Sequence, residues 1–328
     1  MEFKDFYAGS DDENRRLDKV IRKMTPDSNI SSLYSAIRKG LIRVNDKKAD
    51  VNQKVFEKDK ISIADFLLEN NKIKVELAKH ASSKPVKKIS FETVFQNEHV
   101  KIINKPYDTN VHGAGSLSET IEAQYLEEKH ESSLSFTPGP CHRLDRKTTG
   151  LLCFSESLAG AEWFTKNIAE KTIRKFYVAV CLGDFQKTET WSDHIVPDDA
   201  NSTSFYTMKI DPSNSDDKNL AVTTCTPLAH GTYQKQKVTL CQFEILTGKK
   251  HQIRCQSAYH KIGILGDTAY GSIKLRDKQD MYLHAYRLVM PENNPLEIPH
   301  EITAPLNNNF LNFLKLSLLN WDGSLIIK

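Results

Sequence analysis

The sequence predicts an α+β protein in two parts: a mixed sheet with flanking helices over most of the chain, preceded by a smaller α+β unit. Three observations predict it. From about residue 100 onward, strand-like apolar runs outnumber helical ones and alternate with them irregularly. That fits a mixed sheet and not the regular succession of a doubly wound fold. The first eighty residues carry two short helical patterns followed by short strands. Between the parts lies Ala81-Ser82-Ser83-Lys84-Pro85-Val86-Lys87-Lys88, a polar, basic, proline-containing stretch that reads as a linker. At 328 residues each part can bury its own core.

In chain order, residues 1–14 are acidic, short of apolar residues and carry Gly9 and Ser10, and are expected to be frayed. Leu17, Val20, Ile21 and Met24 recur at helical spacing until Thr25-Pro26-Asp27 breaks the run. Leu33, Ala36 and Ile37 mark a second short helix, with Gly40 as its C-terminal cap. Leu41 to Val44 is a strand entering an Asn45-Asp46 turn, and Val55 to Ile63 is strand around a polar turn at 57–60. These elements make a unit over 15–80, a linker over 81–90 and a second domain over 91–328. In the second domain, strands are expected at 100–103, 151–154, 174–180, 238–245 and 281–288, and helices at 118–126 and 159–169. Residues 197–220, rich in Asp, Ser and Asn, read as a surface excursion.

Composition excludes several functional classes. No apolar run approaches the roughly 20 residues that span a bilayer, and the acidic start does not resemble a secretory leader, so a cytoplasmic location without membrane contact is expected. The six cysteines are spread without a C-x-x-C pair and read as small core residues. No histidine or cysteine cluster has ligand spacing, and no phosphate-binding glycine loop is present, so neither a metal nor a cofactor is expected. Net charge is only +3, but residues 15–60 hold 13 Lys/Arg against 6 Asp/Glu. Such a bias suits a surface that meets phosphates, although a solvated lysine-rich face fits the charge alone.

The most informative segment is Cys141-His142-Arg143-Leu144-Asp145-Arg146-Lys147-Thr148-Thr149-Gly150-Leu151-Leu152, which follows the turn Thr137-Pro138-Gly139-Pro140 and leads into an apolar strand. Loops entering core strands are where a scaffold presents reactive groups. Here a single carboxylate, Asp145, has arginines nearby on both sides. Taken alone, the segment fits a surface turn laced with ion pairs equally well.

Its pattern, H-R-L-D-x-x-T-x-G-L, resembles the signature of the RluA-type pseudouridine synthases, which isomerise uridine within structured RNA. Further segments resemble that family in the right order. They are Lys105-Pro106-Tyr107-Asp108 with Val111-His112, Lys175-Phe176-Tyr177-Val178-Ala179-Val180, Thr247-Gly248-Lys249-Lys250-His251-Gln252-Ile253-Arg254, Gly266-Asp267 with Tyr270-Gly271, and Leu283-His284-Ala285. The N-terminal unit, from Arg16-Leu17-Asp18-Lys19 through Ile37-Arg38-Lys39-Gly40-Leu41-Ile42-Arg43-Val44-Asn45, resembles the small S4-type RNA-binding domain.

The resemblance implies a largely antiparallel central sheet and an isomerase that breaks the N1–C1′ bond of uridine and rejoins C1′ to C5. No group enters and no electron is exchanged, so the reaction runs without a cofactor. By resemblance, Asp145 is the catalytic carboxylate, Arg254 its arginine partner, and Tyr177 the active-site tyrosine, 32 residues beyond Asp145. A buried carboxylate needs such a partner to stay charged. Because chemistry on a paired base requires extruding it, Arg143 and His142 are expected to meet RNA and fill the vacated space. His142 fits a structural histidine equally well. Lys105, Pro106, Leu144 and Ile253 are expected to wall the pocket. Arg38, Lys39 and Arg43 are expected to carry RNA contacts in the N-terminal unit. The added N-terminal domain points to ribosomal RNA of the large subunit, with transfer RNA as the alternative, and to a monomer.

The chain departs from the pattern in places. Thr149 stands where serine is commoner, and Asp108 replaces the usual glycine, a change that turn geometry tolerates. After Arg254, residues 255–263 lack the usual Gly-His-Pro. In the N-terminal unit, Asn29-Ile30 and Ser32 stand where arginine-bearing positions are expected. A rival of another class is a non-catalytic RNA-binding or ribosome-assembly factor on a decayed synthase fold; against it, Asp145, Tyr177 and Arg254 are all intact. A glycosidase would require paired carboxylates, which are not evident around Asp145.

Overall fold

The computed structural model describes residues 1–25, 28–69, 88–128, 133–198, 207–275 and 279–317. Residues 81–87 of the expected linker and residues 318–328 at the end of the expected second domain lie outside the described residues.

The N-terminal unit runs through β1 (Phe3–Tyr7), β2 (Arg15–Arg16), α1 (Leu17–Met24), α2 (Ile30–Arg38), β3 (Ile42–Val44), β4 (Lys47–Lys48), β5 (Lys54–Val55), β6 (Lys60–Ala64) and α3 (Asp65–Glu69). Leu17, Val20, Ile21 and Met24 are all fully buried, so the helical spacing in the sequence is the face that α1 packs inward. Asn29 caps α2 by accepting the Ser31 amide at 2.9 Å. Gly40, at φ +72°, supplies the left-handed residue that ends it. Asn45 and Asp46 both take positive φ in the tight turn between β3 and β4. The sheet order is β1-β6-β3-β4, antiparallel throughout.

The first fourteen residues correct the expectation of a frayed end. β1 adds to the edge of β6 with Phe3 opposite Ala64, and Phe6 and Ala8 join the core. The acidic composition hid two further ties. Asp12 is fully buried and accepts from Ser133 Oγ at 2.9 Å, the Leu134 amide at 2.8 Å and Ser135 Oγ. Asp11 accepts the Leu158 amide at 2.8 Å. All four bonds reach the following domain, so these carboxylates are docking groups and not a solvated tail.

That domain continues with β7 (Glu92–Gln96), β8 (Val100–Lys105), α4 (Leu117–Glu128), β9 (Thr149–Ser155), α5 (Leu158–Ala169), β10 (Arg174–Leu182), β11 (Glu189–Pro197), β12 (Met208–Ile210), β13 (Leu220–Tyr233), β14 (Gln236–Ile245), α6 (Gln252–Tyr259), β15 (Leu283–Val289), β16 (Glu301–Thr303) and α7 (Asn308–Ser317). Its sheet runs β12-β11-β13-β14-β10-β15-β9-β8-β7, with β16 also on β15. Every neighbouring pair is antiparallel except β15 with β9, so the sheet is mixed and largely antiparallel as expected. At that parallel pair, Gly150 takes φ +105° and a Cβ there would lie 2.1 Å from the Ala285 carbonyl oxygen. Only glycine lets the strands approach so closely.

The period of two along β10 sorts its side chains. Phe176, Val178 and Val180 pack with Phe310, Phe313 and Leu314 of α7. Tyr177, Ala179 and Cys181 face the opposite core, shared with Leu144, Ile253 and Ile121 of α4. Alternation thus delivers Tyr177 to the face that carries the loop of Asp145. The 197–220 segment is not wholly a surface excursion: β12 pairs with β11, and Met208 and Ile210 pack against Cys255 of α6. Two apolar residues in a polar stretch are enough to anchor it. Cysteines 153, 181, 225, 241 and 255 are buried and Cys141 is partly so, all as free thiols.

Candidate active site

Asp145 lies on the loop between α4 and β9, and the loop is held from several sides. The Thr148 amide donates to the Asp145 carbonyl at 3.1 Å, closing a turn around the carboxylate-bearing residue. Lys105 Nζ donates to the carbonyls of Arg146 at 2.9 Å and Pro106 at 3.0 Å. Arg146 pairs with Asp108 at 2.8 Å, and Lys147 with Asp280 at 2.6 Å. Asp108 takes φ +56°, the left-handed conformation that glycine would adopt, and its carboxylate adds the tie to Arg146. The departure at this position therefore keeps the turn.

The arginine partner comes from α6. Thr247 Oγ1 and the Lys249 amide bond Gln252 Oε1 at 2.8 and 2.9 Å, and Gln252 Nε2 donates to Thr223 Oγ1 at 2.8 Å. Gln256 donates to Asp193 at 2.7 Å. These amides pin the helix to the sheet edge, and Ile253 buries into the core beside Leu144. Arg254, one helical step further on, sends Nη1 to Asp145 Oδ2 at 3.0 Å. Its Nε and Nη2 go to Asp267 at 2.7 and 2.9 Å. Burial works against the arginine's charge, but Asp267 and then Asp145 outweigh it and hold the guanidinium more firmly protonated than usual.

His251 stands at φ +55° at the N-terminus of α6. Its Nδ1 lies 2.9 Å from the Tyr270 hydroxyl, which accepts the Met208 amide at 2.9 Å, and its Nε2 lies 3.8 Å from Asp145 Oδ2. Burial pushes His251 down to about 4, so it is a neutral ring at pH 7. Tyr177 is buried, and burial followed by the charge of Asp145 pushes its hydroxyl above the usual tyrosine range. Arg143, Leu144, Asp145, Tyr177, Ile253 and Arg254 line one cavity of about 190 Å³. Three separate chain segments thus meet there. An arginine-paired carboxylate beside an aromatic ring, in a hollow lined by Leu144 and Ile253 and by the exposed Arg143, can receive a planar base on a polyanion.

Some other expected site residues fall outside the cavity or take a different part in it. Lys105 and Pro106 do not line this cavity. Lys105 is fully buried behind the loop, because two carbonyls draw its ammonium inward, and burial lowers it to about 7. His142 lines the cavity, but its Nε2 accepts the Cys153 amide at 3.1 Å and its ring stacks on Phe164. Those bonds favour the structural alternative over RNA contact; burial depresses it to about 3. Arg143 is exposed. On the N-terminal unit, Arg38 and Lys39 are exposed, and Arg38 lines a hollow of about 490 Å³ with Arg16, Tyr34 and Lys48. Arg43 turns inward instead, donating to the Gly40 carbonyl at 3.0 Å and lying 4.3 Å over the Phe3 ring. That ring belongs to β1, in the segment expected to be frayed, and Arg43 stays half-exposed beside it. Sequence reasoning gave no role to Asp267, His251, Tyr270 or Asp280, although the first three stood inside quoted motifs. Among the described residues no group of three His, Cys, Asp or Glu has a metal-holding arrangement, and no helix is long and apolar enough to cross a membrane.

Comparison with known proteins matches these features. Residues 99–259 fit the family model of RNA pseudouridylate synthases, and residues 15–61 fit that of the S4 domain. The chain is 26% identical over 303 residues to a ribosomal large subunit pseudouridine synthase C of Vibrio vulnificus, covering 89% of each chain. It is 27% identical to a ribosomal large subunit pseudouridine synthase D of Neisseria meningitidis, covering 98% of this chain and 86% of that one. In fold it is similar to the human RNA pseudouridylate synthase domain containing 4, with a TM-score of 0.55, 22% identity, and coverage of 68% of this chain and 92% of the other. The motif segments, the mixed sheet and the matched models agree, and the chain belongs to the RNA pseudouridylate synthase family, with an S4 domain ahead of its synthase domain.

Proposed function

We propose that this chain converts uridines of large-subunit ribosomal RNA to pseudouridine, with Asp145 as catalytic carboxylate. The observation that carries the reading is the 3.0 Å pairing of Asp145 with Arg254 inside the cavity that Tyr177 also lines. Arg254 Nη1 holds Asp145 Oδ2 in place, and the other carboxylate oxygen is left to attack or to assist departure of the uracil. Tyr177 stacks on the extruded base and helps remove the C5 proton after C1′ and C5 are joined. Arg143, exposed at the mouth, enters the space that the base leaves. Leu144 and Ile253 exclude water from the ring.

The S4 domain supplies phosphate contacts through Arg38 and Lys39. The relatives that this chain matches over most of its length carry ribosomal large-subunit names, which supports the choice of RNA. The N-terminal domain takes in β1 and runs from about residue 3 to 80, the synthase domain spans about 91–328, and the protein acts as a cytoplasmic monomer. The test offers unmodified large-subunit ribosomal RNA, small-subunit ribosomal RNA and transfer RNA, each tritiated at uridine C5, to the full chain. Release confined to the large-subunit RNA, mapped to discrete uridines, is the expected result. Release only from transfer RNA would overturn the substrate assignment.

A further inference from the structure

We infer that Asp267 is a positioning residue for the reaction: it sets the plane of Arg254 so that one remaining donor meets Asp145. The inference rests on the reading of Asp145 and Arg254 as the reactive pair. A guanidinium has five donors in a rigid plane, and a partner touching a single N–H leaves that plane free to turn. Asp145 holds Arg254 only through Nη1 at 3.0 Å. Asp267 grips the Nε and Nη2 edge with both carboxylate oxygens, at 2.7 and 2.9 Å. The bidentate grip fixes the orientation, and the single bond uses it.

Asp267 is itself fixed. It is 3% exposed, its amide donates to Ile264, and its carbonyl accepts from Tyr270 and Ser272 at 3.0 and 3.1 Å. Gly266 before it takes φ +87°, where a Cβ would lie 1.7 Å from the Asp280 carbonyl oxygen. The turn therefore lies against Asp280, the residue whose carboxylate holds Lys147 of the Asp145 loop. The holder of Arg254 and the holder of the Asp145 loop share one anchor. The Tyr270 ring, 5.2 Å from the guanidinium carbon, closes a further side.

Asp267→Asn is nearly isosteric but sets an amide N–H against a guanidinium N–H, while Asp267→Glu keeps the carboxylate. Tritium release under single-turnover conditions, RNA dissociation constants and the nitrogen-15 spectrum of arginine side chains are compared in the full chain. The Arg254 Nε–H signal is assigned by its loss in Arg254→Lys. Expected for Asp267→Asn are a rate lower by roughly 100-fold, an RNA dissociation constant within about twofold of wild type, and loss of the slowly exchanging Nε–H signal. Asp267→Glu should recover part of both the rate and the signal. A persisting signal, an unchanged rate, or a rate loss that only tracks weaker RNA binding or a lower melting temperature would overturn the inference. If wild type binds RNA but releases no tritium, the proposed function fails, and the spectrum still decides whether Asp267 holds Arg254.

Discussion

Arg254 on α6 and Asp145 on the loop before β9 lie 109 positions apart in the chain and meet through one 3.0 Å bond. Neither residue reaches the other by its own element alone. The helix is pinned by the Gln252 and Gln256 amides and the loop by Lys105, Arg146 and Lys147. Arg254→Lys keeps the charge but cannot hold Asp145 and the bidentate edge together. Tritium release in a single turnover should fall about 100-fold while RNA affinity stays within about threefold. A rate near that of wild type would show that charge alone suffices.

Lys105 gives the protein a pH signature. Burial lowers it from 10.5 to about 7, so below pH 7 it is protonated in both folded and unfolded chains. Between pH 7 and 10.5 the unfolded chain binds the extra proton, and stability rises with pH through that window. Chemical denaturation of wild type and Lys105→Met across pH 7–10 should show a smaller rise in the variant. Parallel curves would mean that Lys105 titrates normally.

Gly150→Ala meets both a positive φ and the Ala285 carbonyl. The parallel junction of β9 and β15 should open, destabilising the fold by about 2–4 kcal/mol. Equilibrium denaturation measures this directly.

Asp12 joins the two parts of the molecule, since its carboxylate accepts three bonds from residues 133–135. Asp12→Ala leaves those donors unsatisfied and should cost about 2–4 kcal/mol. Hydrogen exchange should show faster opening at 133–136 with little change in β14. Uniform loss of protection would argue that the contact is not local.

Arg143→Ala removes an exposed cation at the cavity mouth. RNA binding should weaken, and the slope of log affinity against log salt should shrink by about 1. The melting temperature should not move.

Much of this molecule is written in short-range pattern. α1 and α2 show in the spacing of Leu17, Val20, Ile21, Leu33 and Ile37, and β8, β9, β10, β14 and β15 in their apolar runs. The segments that bear Asp145, Tyr177 and Arg254 were legible because each motif is contiguous. What stayed hidden depends on partners distant in the chain. β1 is a strand only because β6 offers an edge, and β12 only because Met208 and Ile210 find α6. The S4 resemblance points Arg43 at RNA, and only the fold shows its guanidinium lying over the Phe3 ring. Asp267 stood inside a recognised segment, but only the fold shows that it grips the same guanidinium as Asp145.

The most direct test of the central claim compares wild type with Asp145→Asn, an isosteric change that removes the reactive charge. Both are mixed in excess with large-subunit ribosomal RNA tritiated at uridine C5, and binding is measured in parallel. The account predicts release by wild type, loss of release by at least about 1,000-fold in the variant, and RNA affinity unchanged within about threefold. Release by Asp145→Asn at the wild-type rate would contradict it.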